Sequence, residues 1–240
     1  MTNEPHGLTS LSEPLSPYLS SIVPLHEWPD THQAGWFVGL DLAPNEGLET
    51  GWVVMDRQRR ILQADKVITD AQILNQLASL GPPEQTVVAI DAPKSLSLDT
   101  RWQQERIRLY PFQMDSDTGL DASGNAKVID RCAERVWWLA DTLAERGYTS
   151  IVYLNAVAKF RLGLRTPYRT RTPQGCRALQ ATLREKLGLH NMPTTMVASA
   201  VLDGMVAAYM AWLVGTHHTD AVQLYYDEAK RFMAEPKEEH

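Results

Sequence analysis

The sequence predicts a single α/β domain built on a mixed five-stranded sheet with helices on both faces. Two observations carry this prediction: apolar runs of strand length and apolar runs of helix length succeed one another, and glycine or proline clusters separate them. The chain has 240 residues, 44% apolar and 22% charged, which is typical of a globular domain. We expect a loosely ordered arm over residues 1–33, in which Leu25 and Trp28 could anchor a short docked segment. The domain then covers 34–234, and a solvated tail covers 235–240.

The first three predicted strands are joined by short connections, which favours an antiparallel meander. Residues 36–42 form an apolar run that begins after Gly35 and ends at a Pro-Asn-Glu-Gly sequence. Residues 50–56 and 60–66 give two more strands, with a charged turn between them.

The next elements alternate between helix and strand, which predicts a crossover and parallel strands. Asp70 can cap a helix over 70–80, and an apolar strand follows at 86–91. A further helix is predicted at 126–146 and a fifth strand at 151–154. The stretch between them, 92–125, is irregular and polar, and a loop of that length in a compact domain is usually functional.

The last third of the chain is predicted to be helical. Thr172-Pro173 is typical of a helix start, and residues 197–214 are apolar nearly all round, as in a helix buried in the core. Asp220 is predicted to open a final amphipathic helix, whose apolar face would contain Val222, Tyr225, Tyr226, Ala229 and Met233.

Composition excludes several classes of protein. The two cysteines, Cys132 and Cys176, are far apart in sequence, which argues against a disulfide framework or a zinc site. No uninterrupted apolar run reaches the roughly 18 to 20 residues that span a bilayer. The first residues lack the pattern of a signal peptide, so we expect a cytoplasmic protein that contacts no membrane.

Three acids stand in apolar surroundings that do not suit a surface charge. Asp41 and Asp91 end two apolar strands, and Asp203 lies on the apolar helix. A buried, unpaired carboxylate costs several kcal/mol, so a base, hydrogen bonds or a cation must offset that cost. Taken singly, each acid is also explained as a helix cap or a loop hydrogen-bonding residue. Taken together, they predict one metal site, because neighbouring strand ends converge and a packed helix can bring a third carboxylate there.

Three aspartate oxygens suit a hard cation, so Mg²⁺ or Mn²⁺ is favoured over zinc. A pair of such ions about 4 Å apart activates water and stabilises the leaving oxygen in phosphodiester cleavage. The catalytic and metal-binding residues predicted on this basis are Asp41, Asp91 and Asp203.

The same residues carry a resemblance to a known family. Gly39-x-Asp41, Gly51-Trp52, Ile90-Asp91-Ala92-Pro93 and Leu202-Asp203-Gly204-x-x-Ala207-Ala208 resemble the predicted nucleases catalogued as domain of unknown function four-two-nine. The resemblance covers the chain from about Trp36 to Gly215. It implies a ribonuclease H-like fold, with Asp41, Asp91 and Asp203 as the metal-binding acids.

One acid that the family pattern implies is absent. The family usually has a glutamate on the strand predicted at 151–154, where this chain has Tyr153 and Asn155. Asn155 can still offer a neutral carbonyl oxygen as an extra ligand. Loop acids are alternative sources of the missing ligand: Glu46, Glu49, Glu105 or Asp115.

A basic segment from Lys159 to Lys186 contrasts with the rest of the chain. It contains eight cations and one acid, a net charge of +7, so the other residues of this -6 chain carry -13. Arginines bind phosphates through two hydrogen bonds, and aromatic residues of the segment, Phe160 and Tyr168, could stack on bases. The predicted phosphate-binding residues are Lys94, Arg161, Arg165, Arg169 and Arg171. The alternative is a solvated loop whose arginines pair with the protein's own acids.

These features predict a metal-dependent nuclease that hydrolyses phosphodiester bonds of DNA or RNA. The alternative is a binding protein of the same fold, for nucleic acid or protein, with a degenerate site. The absent strand acid favours this alternative, whereas the three aspartates and the basic segment favour the nuclease.

Overall fold

The computed structural model describes residues 21–92, 126–169, 171–227 and 229–237, with the side chains of 126–132 excepted. The strands are β1 Ser21–Ile22, β2 Trp36–Asp41, β3 Thr50–Asp56, β4 Ile61–Val67, β5 Thr86–Asp91, β6 Thr149–Tyr153, β7 Val222–Tyr226 and β8 Phe232–Pro236. The α-helices are α1 Asp70–Leu80, α2 Ala126–Glu145, α3 Asn155–Arg161, α4 Pro173–Leu187 and α5 Ser199–Gly215. Two single-turn 3₁₀ helices lie at Leu25–Glu27 and Pro83–Gln85.

The sheet has the strand order β1-β7-β8-β6-β5-β2-β3-β4. Strands β2, β3 and β4 pair antiparallel, and β5 and β6 then add parallel to β2. The predicted mixed sheet, with three antiparallel strands and then parallel ones, is therefore confirmed. The predicted number of five strands is wrong, because β8, β7 and β1 extend the sheet beyond β6 to eight strands.

The predicted final helix from Asp220 is also wrong, since that segment forms the β7–β8 hairpin. Its turn is closed by Asp227, which accepts a hydrogen bond from the Arg231 backbone N–H at 2.7 Å, while Lys230 has a left-handed φ of 64°. The apolar spacing fits a helix and a strand equally well here. The run Val-Gln-Leu-Tyr-Tyr has the β-branched and aromatic content that favours a strand.

Residues 21–33, from the segment predicted as a loose arm, contact the domain. Strand β1 pairs with β7, and Val23 is buried and donates a backbone hydrogen bond to Leu224 at 3.0 Å. Trp28 packs against the core, as one alternative had predicted, but Leu25 is 62% exposed. Val23 therefore does the anchoring that Leu25 was expected to do.

Helices cover both faces of the sheet, as predicted. Helices α4 and α5 bury their apolar residues against one face, with Leu179, Leu183 and Met205 in that core. Helices α1 and α2 cover the other face, where Ile73 and Leu139 are fully buried. Over the described residues, no helix has both the length and the apolar character needed to cross a membrane. The predicted loop at 92–125 lies outside the described residues, apart from Ala92.

Candidate functional site

Three side chains stand in a row at the carboxyl edge of the sheet. Asp41, Asp91 and Tyr153 are the last residues of β2, β5 and β6, three neighbouring parallel strands. Asp91 pairs in register with Tyr153, and Leu40 pairs with Ile90, so Asp41 and Asp91 follow at the same level. Neighbouring strands lie about 4.8 Å apart, which makes the three residues direct neighbours.

The row faces helix α5. Side chains alternate along a strand, so Asp41 shares a face with Phe37, and Asp91 shares one with Val87 and Ala89. Phe37, Val87 and Ala89 all belong to the core between the sheet and α5. Both carboxylates therefore point to the side of the sheet that carries Asp203.

Two glycines allow the backbone of α5 to contact the strands directly, and this contact determines how far Asp203 lies from the sheet. A Cβ at Gly39 would overlap the backbone of Gly204 and Ala208, and a Cβ at Gly51 would overlap the Ala200 carbonyl. Gly51 is also the register partner of Asp41. The glycines in the sequence motifs thus have a packing role: they allow the backbone contact that holds the Asp203 turn over the strand ends.

Asp203 has a cationic partner that the sequence did not indicate. The Lys159 Nζ donates a short hydrogen bond to Asp203 Oδ1, and the two side chains are only 13% and 17% exposed. Burial lowers the pKa of Lys159, but Asp203, and more weakly Asp91 and Asp41, outweigh burial and raise it above its usual value. Lys159 is therefore a charged ammonium that interacts electrostatically with all three acids.

Tyr153 occupies the place in the row where the resemblance implies an acid. It is fully buried, and its hydroxyl donates to the Asp203 backbone carbonyl over 3.5 Å. Burial, and then the negative charges of Asp91, Asp203 and Asp41, raise its pKa well above the usual 10. Tyr153 thus stays a neutral hydrogen-bond donor and supplies no anionic ligand.

Asn155, the predicted extra ligand, lies directly after this row. Its backbone N–H donates to Asp91 Oδ1 at 3.1 Å, and the residue is buried. Its side-chain Oδ1 is buried without a hydrogen-bond partner among the described residues. A buried carbonyl oxygen without a partner is costly unless water or an ion fills the position, so this donor set fits a hard cation.

The three aspartates nevertheless do not form a closed cage. In the part of the chain that the structure describes, no three His, Cys, Asp or Glu side chains lie close enough together to hold a metal ion. The alternative ligands are engaged elsewhere: Glu46 accepts from the Asp70 N–H at 2.7 Å, and Glu49 pairs with Lys66 at 2.6 Å. Glu105, Asp115 and the predicted phosphate ligand Lys94 lie outside the described residues.

The basic segment divides into buried and exposed cations. The prediction that Arg161 binds phosphate is wrong, because this side chain is buried in another ion pair. Its side chain is 5% exposed, pairs with Glu235 at 3.3 Å and donates to the Pro236 carbonyl at 2.7 Å. Arg165, Arg169 and Arg171 are exposed, and the Arg165 guanidinium lies 4.2 Å from the centre of the Phe160 ring.

The exposed cations lie on the loop between α3, which carries Lys159, and α4. They follow α3, which begins directly after β6 at the site's edge of the sheet. They precede α4, which begins at Pro173, as predicted. The Thr172 hydroxyl caps this helix by accepting a hydrogen bond from the Gly175 N–H. In the first turns of α4, burial and Asp203 raise the pKa of the Cys176 thiol, while Lys159 lowers it. The start of α4 is thus within electrostatic reach of the Lys159–Asp203 pair, and Tyr168, 51% exposed, lies on the same loop.

Sequence reasoning placed Tyr153 on the strand where a site acid is expected, but it missed Lys159 as part of the site. It treated Lys159 only as one of eight basic residues, and it assigned the neutralisation of an acid to Lys94. A signal was present: a lysine one helical turn after Asn155, on a short helix that follows a site strand, projects back towards the strand end.

No protein-family model matches the sequence, so membership of the domain of unknown function four-two-nine family stays a prediction, and no curated protein matches it either. Among solved structures, two of RuvC from T. thermophilus are similar, one of them in complex with a Holliday junction substrate. Both share 15% identity over 83% of this chain and 98% of theirs, with TM-scores of 0.41 and 0.43. A likeness this weak transfers no site residue, substrate or activity to this chain.

Proposed function

We propose that this chain is a metal-dependent nuclease-like protein that hydrolyses phosphodiester bonds of DNA or RNA. Asp41, Asp91 and Asp203 are the proposed catalytic and metal-binding acids, with the Asn155 amide as an extra neutral ligand for Mg²⁺ or Mn²⁺. One observation carries the proposal: two carboxylates stand side by side at a strand edge, next to a buried amide oxygen without a partner.

The donor set determines which chemistry suits the site. Aspartate and amide oxygens prefer hard divalent cations, and a bound Mg²⁺ or Mn²⁺ supplies an activated water and stabilises charge on a phosphate oxygen. The chain's own residues hold the acids in place: Asn155 N–H orients Asp91, and the α5 contact orients Asp203. Tyr153 stays protonated beneath them and excludes water from the floor of the site.

The charge distribution supports a polyanionic substrate. Exposed Arg165, Arg169 and Arg171 follow the helix that carries Lys159, and guanidinium groups bind phosphate through paired hydrogen bonds. Lys94, three residues after Asp91, is proposed as a further phosphate ligand. The exposed Tyr168 ring offers a surface on which a base can stack.

A second candidate function is supported by a different observation. Tyr153 stands in the place of an acid, and Asp203 is paired with Lys159. A site with fewer anionic ligands binds metal more weakly. The second candidate is therefore a protein that binds nucleic acid through the arginine loop without cleaving it.

Cleavage assays separate the two candidates. The purified protein is incubated with labelled single- and double-stranded DNA and RNA plus Mg²⁺ or Mn²⁺, beside Asp41→Asn and the exposed-acid control Asp220→Asn. We expect cleavage by the wild type and by Asp220→Asn, with a loss of at least about a hundredfold in Asp41→Asn, as for other removed charge-stabilising groups. Equal product from the wild type and Asp41→Asn on every substrate refutes the nuclease. Retained binding in that case supports the second candidate.

A further inference from the structure

The Lys159–Asp203 pair differs from an ordinary surface ion pair, because it is nearly buried and one lysine interacts with three carboxylates. The ammonium reaches from α3 to α5 and lies beside one carboxylate while two more, Asp41 and Asp91, act on it. Its position relative to Asp203 is one that a cation bound by Asp203 must also take, because both interact with the same carboxylate at short range.

We propose that Lys159 is a built-in counter-ion that occupies the Asp203 carboxylate until a divalent metal displaces it. This inference rests on the proposed function, since it concerns the same three acids. Lys159 is then a positioning residue: it holds Asp203 in the metal-free protein and sets the metal concentration at which the site fills.

The burial of the pair explains why a resident cation is needed. Helix α5 packs with its backbone directly against Gly39 and Gly51, so exposing Asp203 to solvent would break this contact. An ionised carboxylate fixed at 17% exposure needs a partner when no metal is bound. Lys159 meets that need from a separate, short helix.

The exchange has a measurable cost. A metal that binds Asp203 must first break a charge-assisted hydrogen bond, so the apparent affinity is lowered by the free energy of that bond. Such bonds are worth enough to change a dissociation constant by on the order of tenfold. A chain without the ammonium therefore binds metal more tightly, although its metal-free form is less stable.

Calorimetric titration of Mn²⁺ tests the exchange without any activity measurement. Lys159→Met keeps the length of the side chain and removes the charge, and Lys159→Gln keeps a donor for Asp203 in case the first variant folds poorly. We expect Mn²⁺ to bind about tenfold more tightly to either variant than to the wild type. Thermal unfolding should show a lower melting temperature for the metal-free variants and a larger upward shift with Mn²⁺.

Two controls make the result specific. Arg60→Met breaks the Arg60–Asp56 pair at the opposite end of β3, where Asp56 pairs in register with Trp36 and not with Asp41, and it should leave Mn²⁺ affinity unchanged. In an Asp203→Asn background, Lys159→Met should give a clearly smaller gain in affinity, because no hydrogen-bonded carboxylate is left to release and only the weaker repulsion at Asp41 and Asp91 is removed.

The outcomes distinguish this inference from the proposed function. Unchanged or weaker Mn²⁺ binding in both Lys159 variants, with the wild type still binding, overturns the counter-ion and leaves the metal site standing. An absence of Mn²⁺ binding in the wild type and in both variants overturns the metal site and the inference together. A gain in affinity of the same size in the Asp203→Asn background also overturns the inference.

Discussion

Two ion pairs start from the same short helix and illustrate two different uses of charge. Arg161 and Lys159 are two residues apart on α3 and lead in different directions. Arg161 pairs with Glu235 on β8, where the two side chains are 5% and 3% exposed and a backbone carbonyl adds a second bond. Lys159 pairs with Asp203 at the edge of the sheet, where exposure is greater and two further carboxylates lie near. The first pair joins α3 to β8, whereas the second lies at the proposed metal site.

The largest expected effect is a loss of folding stability when the Arg161–Glu235 pair is broken. Arg161→Met removes the cation paired with the buried Glu235, and breaking a buried ion pair by removing one member costs about 3–5 kcal/mol. Chemical denaturation measures the loss, and Arg161→Met with Glu235→Gln should recover part of it. A loss below about 1 kcal/mol in the single variant would mean that the pair is not a structural joint.

A smaller effect is expected where α5 lies on β2. In Gly39→Ala the added methyl overlaps helix backbone, so we expect a loss of about 1–3 kcal/mol in the free energy of unfolding and a displaced Asp203. Mn²⁺ affinity should fall together with stability. Gly35→Ala is the matched control, because nothing lies within 4 Å of its new Cβ. Equal stability and equal Mn²⁺ binding in the two variants would refute the role of the glycine contact.

The smallest expected effect is a difference between the two ion pairs in how their contribution to stability depends on pH. The folded-state pKa of Lys159 is raised above its ordinary value, so its stabilisation is complete below about pH 10 and is lost as pH rises through the folded pKa. An arginine guanidinium is not deprotonated in proteins, so the Arg161–Glu235 pair offers no such titration. The stability difference between wild type and Lys159→Gln should therefore stay constant up to about pH 10 and shrink as the pH rises further, by roughly 1 kcal/mol. The difference between wild type and Arg161→Met should stay constant, and parallel curves for both variants would contradict this contrast.

The sequence predicted those parts of the molecule that depend on local pattern. Apolar runs with polar ends located the five central strands, and the acids at two of those ends were expected to be neighbours. What it missed depends on distant partners. Arg161 resembled a phosphate ligand because its partner, Glu235, lies 74 positions later in the chain. The helix predicted from Asp220 failed because the apolar spacing did not distinguish a helix from a hairpin, and pairing with β6 and β1 decided the outcome.

The contact between α5 and the two strands also bears on how this fold diverges. Gly39 lies two residues before Asp41, Gly51 is its register partner, and Gly204 directly follows Asp203, so each glycine is tied in position to an acid. Drift that removes the proposed metal site needs only replacements at the acids, with Lys159 changed alongside Asp203, but it cannot replace these glycines without separating helix from sheet. In an alignment of remote homologues, the glycines should therefore outlast the aspartates, and they provide the better anchor for recognising descendants that have lost the chemistry.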